Sequence, residues 1–340
     1  MKNRLAVLAA SAAVLGLGAL ASGRAQAQDE FTIQLKWLTQ GQFAGYFVAL
    51  EKGFYEEAGL DVTIKPGGPD IAPPQVIAAG GADVIVDWMP AALAARERGV
   101  PLVNVAQVFD RSGMMLTCSK DTGITSPEDF KGKTLGVWFA GNEYPFLSWM
   151  SKLGYSTSGA DPDVTVLRQG FNVDPLLQKQ ADCISTMIYN EYWQIIDAGV
   201  PEDELITFFY EDQGVATLED GLYALEDRLQ DPDDVDRLAR FIAASMKGWQ
   251  YATENIDEAA EIVVDADPSG AATFEVQKRQ IENIATLITN ASGKGLGYLD
   301  PAAYRRTVDV LMSGESDPVI TQDPGDAAWT HIVWEKAMGM

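Results

Sequence analysis

Short β-rich segments alternate with segments of helix length along the first two thirds of this chain, and the alternation begins a second time partway through. The predicted strands of the first series are residues 31–38, 60–65, 82–88 and 102–109, and those of the second are 134–139, 164–169, 183–188 and 205–210. Strands separated by helices pair in parallel and carry helices on their faces. The sequence therefore predicts an α/β protein with two such units.

The last third of the chain is predicted to be helical, with helices at 234–254, 273–288 and 301–312 that we expect to pack around the first unit. No low-complexity linker separates the units, so we expect short hinge strands near 114–119 and 221–225. The expected division is lobe 1 from residues 28–117 and 222–340, and lobe 2 from residues 118–221. A chain of 340 residues exceeds what one compact core usually holds, which agrees with two lobes.

The N-terminus has the pattern of a secretory signal peptide. Lys2 and Arg4 precede an apolar run over residues 5–20, and residues 25–27 form an A-x-A cleavage signal. The apolar run is short for a membrane span, and no cysteine follows it for attachment of a lipid. We therefore expect cleavage after Ala27 and a mature protein that is secreted and not lipid-anchored.

The net charge is −24 at pH 7, which makes nucleic acid and anionic lipid poor partners. The chain has two cysteines, Cys118 and Cys183. An extracytoplasmic compartment permits them to form a disulfide. Two cysteines buried separately as small apolar residues is the commoner arrangement, so we favour free thiols and keep pairing as the alternative.

One short motif occurs twice. Ala82, Asp83, Ile85 and the turn 99–101 recur as Ala181, Asp182, Ile184 and the turn 199–201. Each copy predicts a strand, a loop, a helix and a turn, and ligands of open α/β sheets bind at the junction of strand and helix. Two related lobes explain the recurrence, and chance similarity remains the alternative.

The sequence offers few candidate catalytic residues. His331 is the only histidine, so a histidine-dependent hydrolase lacks a candidate base. No C-x-x-C motif or histidine cluster indicates a metal site, and the glycines at 293–297 lack dinucleotide-binding spacing. We expect a protein that is not an enzyme and needs no cofactor or metal.

Aromatic, amide and carboxylate side chains instead collect where predicted strands end. The candidates for ligand binding are Trp37, Gln40, Gln42, Tyr46, Asp87 and Trp88 in the first unit, and Trp138, Asn142, Glu143, Tyr144, Asn172, Asn190, Glu191 and Tyr192 in the second. Together they predict a cleft with flat apolar walls and a few hydrogen-bonding groups. Each aromatic could equally lie in the core beneath a loop, and each carboxylate could cap a helix instead of accepting N–H bonds from a heterocycle.

The segment Leu35-Lys36-Trp37, together with 45–49, 51–62, 80–83, 94–101 and 126–136, resembles the NMT1/THI5-like family of solute-binding proteins. The resemblance covers most of residues 31–215. It implies the two-lobed periplasmic-binding-protein fold of type II, with a ligand cleft between the lobes. It also implies an ABC permease as partner, and ligands that include thiamine pyrimidine precursors, riboflavin and, in related groups, sulfonates and nitrate.

The family also contains a fungal thiamine pyrimidine synthase, which takes its pyrimidine from its own histidine and a bound pyridoxal phosphate. The positions of the synthase lysine and histidine fall on Asp87 and Ala91 here, and the cysteine-rich iron motif has no counterpart near Gly214. The resemblance therefore favours binding, with a synthase-like enzyme as the alternative.

The tryptophans and amides favour a heteroaromatic solute over a small anion, because anion sites more often present Ser, Thr, Arg and backbone amides. The segment 65–70 is closer to the riboflavin and pyrimidine-precursor binders than to the sulfonate binders. We expect a monomeric periplasmic component of an ABC importer that closes its lobes on a thiamine pyrimidine precursor or a riboflavin-like solute. A binder of sulfonate, taurine or nitrate is a further alternative, and so is a sensor of the same fold.

Overall fold

The computed structural model describes residues 28–313 and 318–340, which form two five-stranded sheets with helices around them. The predicted signal peptide lies outside the described residues. The strands are β1 Asp29–Gln34, β2 Leu60–Lys65, β3 Val84–Asp87, β4 Leu102–Gln107, β5 Met114–Ser119, β6 Thr134–Val137, β7 Thr165–Arg168, β8 Cys183–Met187, β9 Leu205–Phe209 and β10 Gly221–Leu225. The helices are α1 Ala44–Glu51, α2 Phe54–Glu57, α3 Pro73–Ala78, α4 Met89–Glu97, α5 Tyr144–Leu153, α6 Asp174–Leu177, α7 Glu191–Asp197, α8 Pro232–Glu254, α9 Ile256–Ala266, α10 Phe274–Ile284, α11 Pro301–Met312 and α12 Ile332–Ala337.

All eight strands predicted from the alternation are present, although most end a few residues earlier than predicted. The difference is largest for β1, which ends at Gln34 because the chain then turns out of the sheet. The central strands β3 and β8 are buried at every position, and so is β4 at the edge of its sheet. Strands covered on both faces show this continuous burial, whereas strands with one solvated face alternate.

The two sheets have the same strand order once their strands are matched in sequence. The first is β2-β1-β3-β10-β4 and the second is β7-β6-β8-β5-β9, so β1–β4 correspond to β6–β9, and β10 corresponds to β5. In each sheet the fourth strand is antiparallel to both neighbours. That strand is the first one after the chain crosses from the other sheet, so it enters from the opposite direction to the strands joined by helices.

The segments that join the sheets differ from the hinges expected from the sequence. β5 pairs along its length within the second sheet, and β10 does so within the first. The chain crosses between the sheets through residues 108–113 and 210–220. Because each is hydrogen-bonded to a strand on both sides, β5 and β10 are interior strands of their sheets and not hinges.

The repeated motif of the sequence is a repeated piece of structure. Asp83 donates its N–H to the Thr32 carbonyl at 2.9 Å and accepts the Thr32 N–H at Oδ2 at 2.8 Å. Asp182 makes the same two bonds with Thr134, both at 2.8 Å. Asp83 thus bonds the start of β3 to β1, and Asp182 bonds the start of β8 to β6. The recurring aspartates therefore lie at equivalent positions of the two sheets, as related lobes would place them.

The C-terminal helix α8 packs directly on α1 of the first lobe. A Cβ atom at Gly45 would lie 2.2 Å from the Trp249 ring, and one at Gly248 would lie 2.1 Å from the Gly45 carbonyl. Glycine at both positions is therefore what allows the two helices to touch. Among the described residues, no helix has both the length and the apolar character needed to cross a membrane.

Cys118 and Cys183 form a disulfide between β5 and β8. The expectation of separate thiols is wrong. The antiparallel pairing of β5 with β8 places these two residues directly opposite each other. Their separation of 65 residues along the chain conceals this contact, since it depends on which strands become neighbours.

Candidate functional site

A narrow pocket lies between the two sheets, at the ends of their strands. Its lining comes from both lobes and consists of Lys36, Trp37, Gln40, Gln42, Trp88, Trp138, Asn142, Met187, Tyr189 and Glu191. Seven of these are predicted site residues: Trp37, Gln40, Gln42, Trp88, Trp138, Asn142 and Glu191. Half of the fourteen predicted site residues therefore line this pocket.

Three tryptophans form the apolar walls. Trp37 of the first lobe meets Trp138 of the second edge to face, with ring centroids 6.2 Å apart. Trp138 donates its Nε1–H to the Gly170 carbonyl, and Trp88 donates its own to Asp220 Oδ1, both at 2.9 Å. Because these two indoles already have partners for their single polar atom, they offer the pocket their apolar faces.

The first lobe places a buried ion pair beside the pocket. Lys36 Nζ lies 2.6 Å from Asp87 Oδ1, and the two side chains are 3% and 0% exposed. Asp87 Oδ1 also accepts the Trp88 N–H at 2.8 Å, while Asp87 Oδ2 has no partner among the described residues. Burial raises the pKa of Asp87, and the Lys36 charge opposes that rise. Lys36 lines the pocket, whereas Asp87 lies behind it.

The second lobe places a buried carboxyl group, Glu191, in the pocket, and no cation of the described part of the chain pairs with it. Glu191 Oε2 accepts the Met187 N–H at 3.0 Å, and Oε1 accepts Asn190 Nδ2–H at 2.8 Å. Burial raises the pKa of Glu191 to about 7. Near neutral pH this group can therefore either accept two hydrogen bonds from a ligand or donate one.

A chain of side-chain amides connects the two lobes at the pocket. Gln40 donates to Gln42 at 2.7 Å, and Gln42 donates to Asp220 at 2.7 Å. From the second lobe, Asn190 donates to Gln40 Oε1 at 3.3 Å and accepts from Gln280 at 2.9 Å. Asn190 therefore lies at the mouth of the pocket and not in its lining. At the mouth it joins the two lobes through these hydrogen bonds.

The other predicted site residues lie away from the pocket. Tyr46 is a core residue of α1, since its ring packs against Phe241 and Trp249. Tyr192 packs edge to face on Trp193. Their positions on α1 and α7 direct both side chains into the packing between elements.

Three further predicted residues form hydrogen bonds outside the pocket. Glu143 accepts the Gly141 N–H at 2.8 Å, and Asn172 donates to Asp174 at 3.0 Å. Tyr144 accepts from Arg98 of the first lobe at 3.1 Å. The first two order loops at helix starts, and Tyr144 joins the lobes outside the pocket.

Sequence reasoning missed Lys36, Met187, Tyr189 and Asp220. Met187 and Tyr189 stand at the end of β8, so the rule that located Asn190 could also have found them. Asp220 holds both Gln42 and Trp88 from directly before β10. Its signal was the acidic pair Glu219-Asp220 ahead of an apolar strand.

A sequence profile of the NMT1/THI5 like family matches residues 40–259. The chain belongs to this family. It is 25% identical over 320 residues to the formylaminopyrimidine-binding protein of Halalkalibacterium halodurans, and the match covers 88% of this chain and 90% of that protein. It is 24% identical over 296 residues to the riboflavin-binding protein RibY of Chloroflexus aurantiacus, which covers 84% of this chain and 81% of that protein.

The fold of this family member is similar to that of solved binding proteins. The ligand-binding component of an ABC-type import system from Staphylococcus aureus superposes with a TM-score of 0.67 at 12% identity, covering 91% of this chain and 99% of that one. At this identity the likeness shows the fold alone. The predicted fold, two α/β lobes as in periplasmic binding proteins, is confirmed.

Proposed function

We propose that this protein is the solute-binding component of an ABC importer and that it captures a small heteroaromatic solute between its lobes. The observation that carries the proposal is the set of three tryptophans, contributed by both lobes, around one pocket. Flat rings stack well on indole faces. Closure of two lobes on such a ring would give the permease a liganded shape to recognise.

The charges at the pocket support a ring with N–H groups over a small anion. Among the described residues, Lys36 is the one ammonium in the lining, and it is already paired with Asp87. Glu191 lines the pocket, and Asp220 lies directly behind it. Sulfonate or nitrate would approach these carboxyl groups with no surplus positive charge, whereas an amino group on a heterocycle would gain an acceptor.

The ligand class is a thiamine pyrimidine precursor or a riboflavin-like solute. Glu191 supports it, because a carboxyl group able to accept or donate can bind the N–H groups and ring nitrogens of such heterocycles. Relatives named for formylaminopyrimidine and riboflavin support the same class.

The disulfide between Cys118 and Cys183 supports a periplasmic location, because disulfides persist in oxidising compartments. We propose that the mature protein begins after Ala27 and works as a monomer with an ABC permease. The two sheets support lobe 2 as the part of the chain that contains β5–β9, with the rest of the mature chain forming lobe 1.

Isothermal titration of the mature protein against formylaminopyrimidine, riboflavin, taurine and nitrate tests the proposal. We expect one heterocycle to bind and Trp88→Ala to weaken it by about tenfold or more through loss of a stacking wall. Trp329→Ala is the matched control, because this indole packs near Tyr304, outside the pocket, and should leave affinity unchanged. Binding of taurine or nitrate alone would contradict the proposal.

A further inference from the structure

A second and larger cavity lies directly outside the tryptophan pocket, again between the lobes. The two cavities share Trp37 and Gln40. We call the outer one the vestibule and define it by Trp37, Gln40, Phe171, Gln277 and Gln280. The shared walls place the two cavities side by side in the cleft.

The vestibule has apolar side chains that the protein leaves uncovered. Phe171 of the second lobe is 57% exposed, and Leu38 of the first is 39% exposed. Both line the vestibule, one from each side of the cleft. A ligand segment lying between them would remove apolar surface of both lobes from water.

The vestibule also contains a buried hydrogen-bond acceptor without a donor. Gln280 is 2% exposed and donates Nε2–H to Asn190, yet its Oε1 atom has no partner among the described residues. Neighbouring Gln277 accepts the Gly41 N–H at 2.6 Å, which holds α10 against the first lobe. A buried carbonyl oxygen left unsatisfied is costly, so Gln280 Oε1 would gain a partner if opening of the cleft brought an O–H or N–H group of a ligand to it.

The charges of the vestibule disfavour an anionic ligand segment. Arg168 is the one cation of its lining within the described ranges, and it pairs with Asp70 at 2.8 Å. Asp267 also lines the vestibule and accepts backbone N–H groups of its own loop. In the described part of the chain, a phosphate in the vestibule would therefore meet no cation that lacks a carboxylate partner.

We propose that the vestibule is a second ligand subsite, which receives an uncharged substituent with hydroxyl or amide groups on the same heteroaromatic molecule whose ring lies in the tryptophan pocket. This inference rests on the proposed function, since the ring must occupy the inner pocket for its substituent to reach the vestibule. The solute is then a two-part molecule, with a flat ring and a neutral polar tail.

Titrations with ligands that share a ring and differ in the tail test the inference. One series is lumichrome, riboflavin and riboflavin phosphate; the other is 4-amino-2,5-dimethylpyrimidine, formylaminopyrimidine and hydroxymethylpyrimidine phosphate. In whichever series binds, we expect the neutral tail to improve affinity over the ring alone by about tenfold, and the phosphorylated compound to bind at least about tenfold more weakly than the neutral one.

Phe171→Ala provides the matched test on the protein. Because Phe171 is exposed, its replacement should leave the fold intact and weaken the tailed ligand about fivefold without changing the ring-only ligand. Phe209→Ala removes another exposed phenylalanine of the second lobe that lies outside both cavities, and should change neither affinity.

Two failures are distinguishable. Equal affinity for tailed and ring-only ligands, tightest binding of the phosphate, or no response to Phe171→Ala would overturn the vestibule subsite and leave the proposed function standing. Absence of binding by every ring compound would overturn the proposed function, and the subsite with it.

Discussion

The two lobes share one scaffold and differ in what they add to it. Both sheets have the same strand order, and Asp83 and Asp182 tie equivalent strands together with the same pair of hydrogen bonds. The carboxyl groups near the pocket are treated differently. Asp87 of the first lobe has a buried lysine partner, whereas the partners of Glu191 within residues 28–313 and 318–340 are N–H donors.

The means of stabilisation differ as well. The first lobe gains the long helix α8, packed on α1 through two glycines, whereas the second lobe has a disulfide between β5 and β8. The lobes show that residues that set the scaffold recur, while residues that line the pocket or supply extra stability diverge. Variants in each lobe can test that contrast.

Removal of the lysine partner should have the largest effect. Lys36→Met leaves Asp87 buried without a cation, and we expect the free energy of unfolding to fall by about 3–5 kcal/mol. Urea unfolding at pH 7 measures it. Lys36→Met combined with Asp87→Leu should recover most of the loss, because no lone charge then remains buried. A single variant as stable as the parent would contradict the contrast between the two carboxyl groups.

Loss of the disulfide should come next and affect the second lobe. The closed loop spans 65 residues, so replacing both cysteines by alanine should lower the free energy of unfolding by about 2–4 kcal/mol. Hydrogen exchange should accelerate in β5 and β8 and stay unchanged in the equivalent strands β10 and β3. Two titratable thiols in the purified, oxidised protein would show that the lobes do not differ in this way.

Glu191 should make stability depend on pH. Its pKa in the folded protein is raised to about 7, above the usual glutamate value, so the folded state binds the extra proton. The resulting stabilisation is complete below the pKa of the unfolded chain and is lost as pH rises through about 7. Between pH 5 and pH 7, stability of the parent should therefore fall more steeply than that of Glu191→Gln, by up to about 1.4 kcal/mol per pH unit. Parallel urea-unfolding curves would show that Glu191 does not titrate in this range.

The smallest effect concerns the shared scaffold. Asp83→Asn and Asp182→Asn should each lower the free energy of unfolding by about 1–2 kcal/mol, because each weakens the same bond to a strand N–H. Asp83→Asn should cost slightly more, since Asp83 also pairs with Arg228 at 3.0 Å. A loss confined to one of the two variants would mean that the aspartates are not equivalent.

Local patterns in the sequence predicted much of the fold and part of the site. The strands, the repeated aspartate and the position of the pocket at strand ends all follow from short segments whose side chains set the local conformation. Trp37, Trp88 and Trp138 were found because the rule for strand ends depends only on where each strand stops. Tyr46 and Tyr192 were misplaced, because that rule does not say which face of the following helix turns to the cleft.

By itself, then, the sequence determined two α/β lobes, the aspartate motif that they share and the aromatic character of the cleft between them. Only the tertiary structure decided which strands lie side by side, and therefore that Cys118 meets Cys183. It likewise decided that Lys36 neutralises Asp87, and that Asp220 holds Gln42 from 178 residues further along the chain. These contacts depend on how distant segments pack, and no local pattern encodes the lateral order of strands or the partner that a buried charge will find.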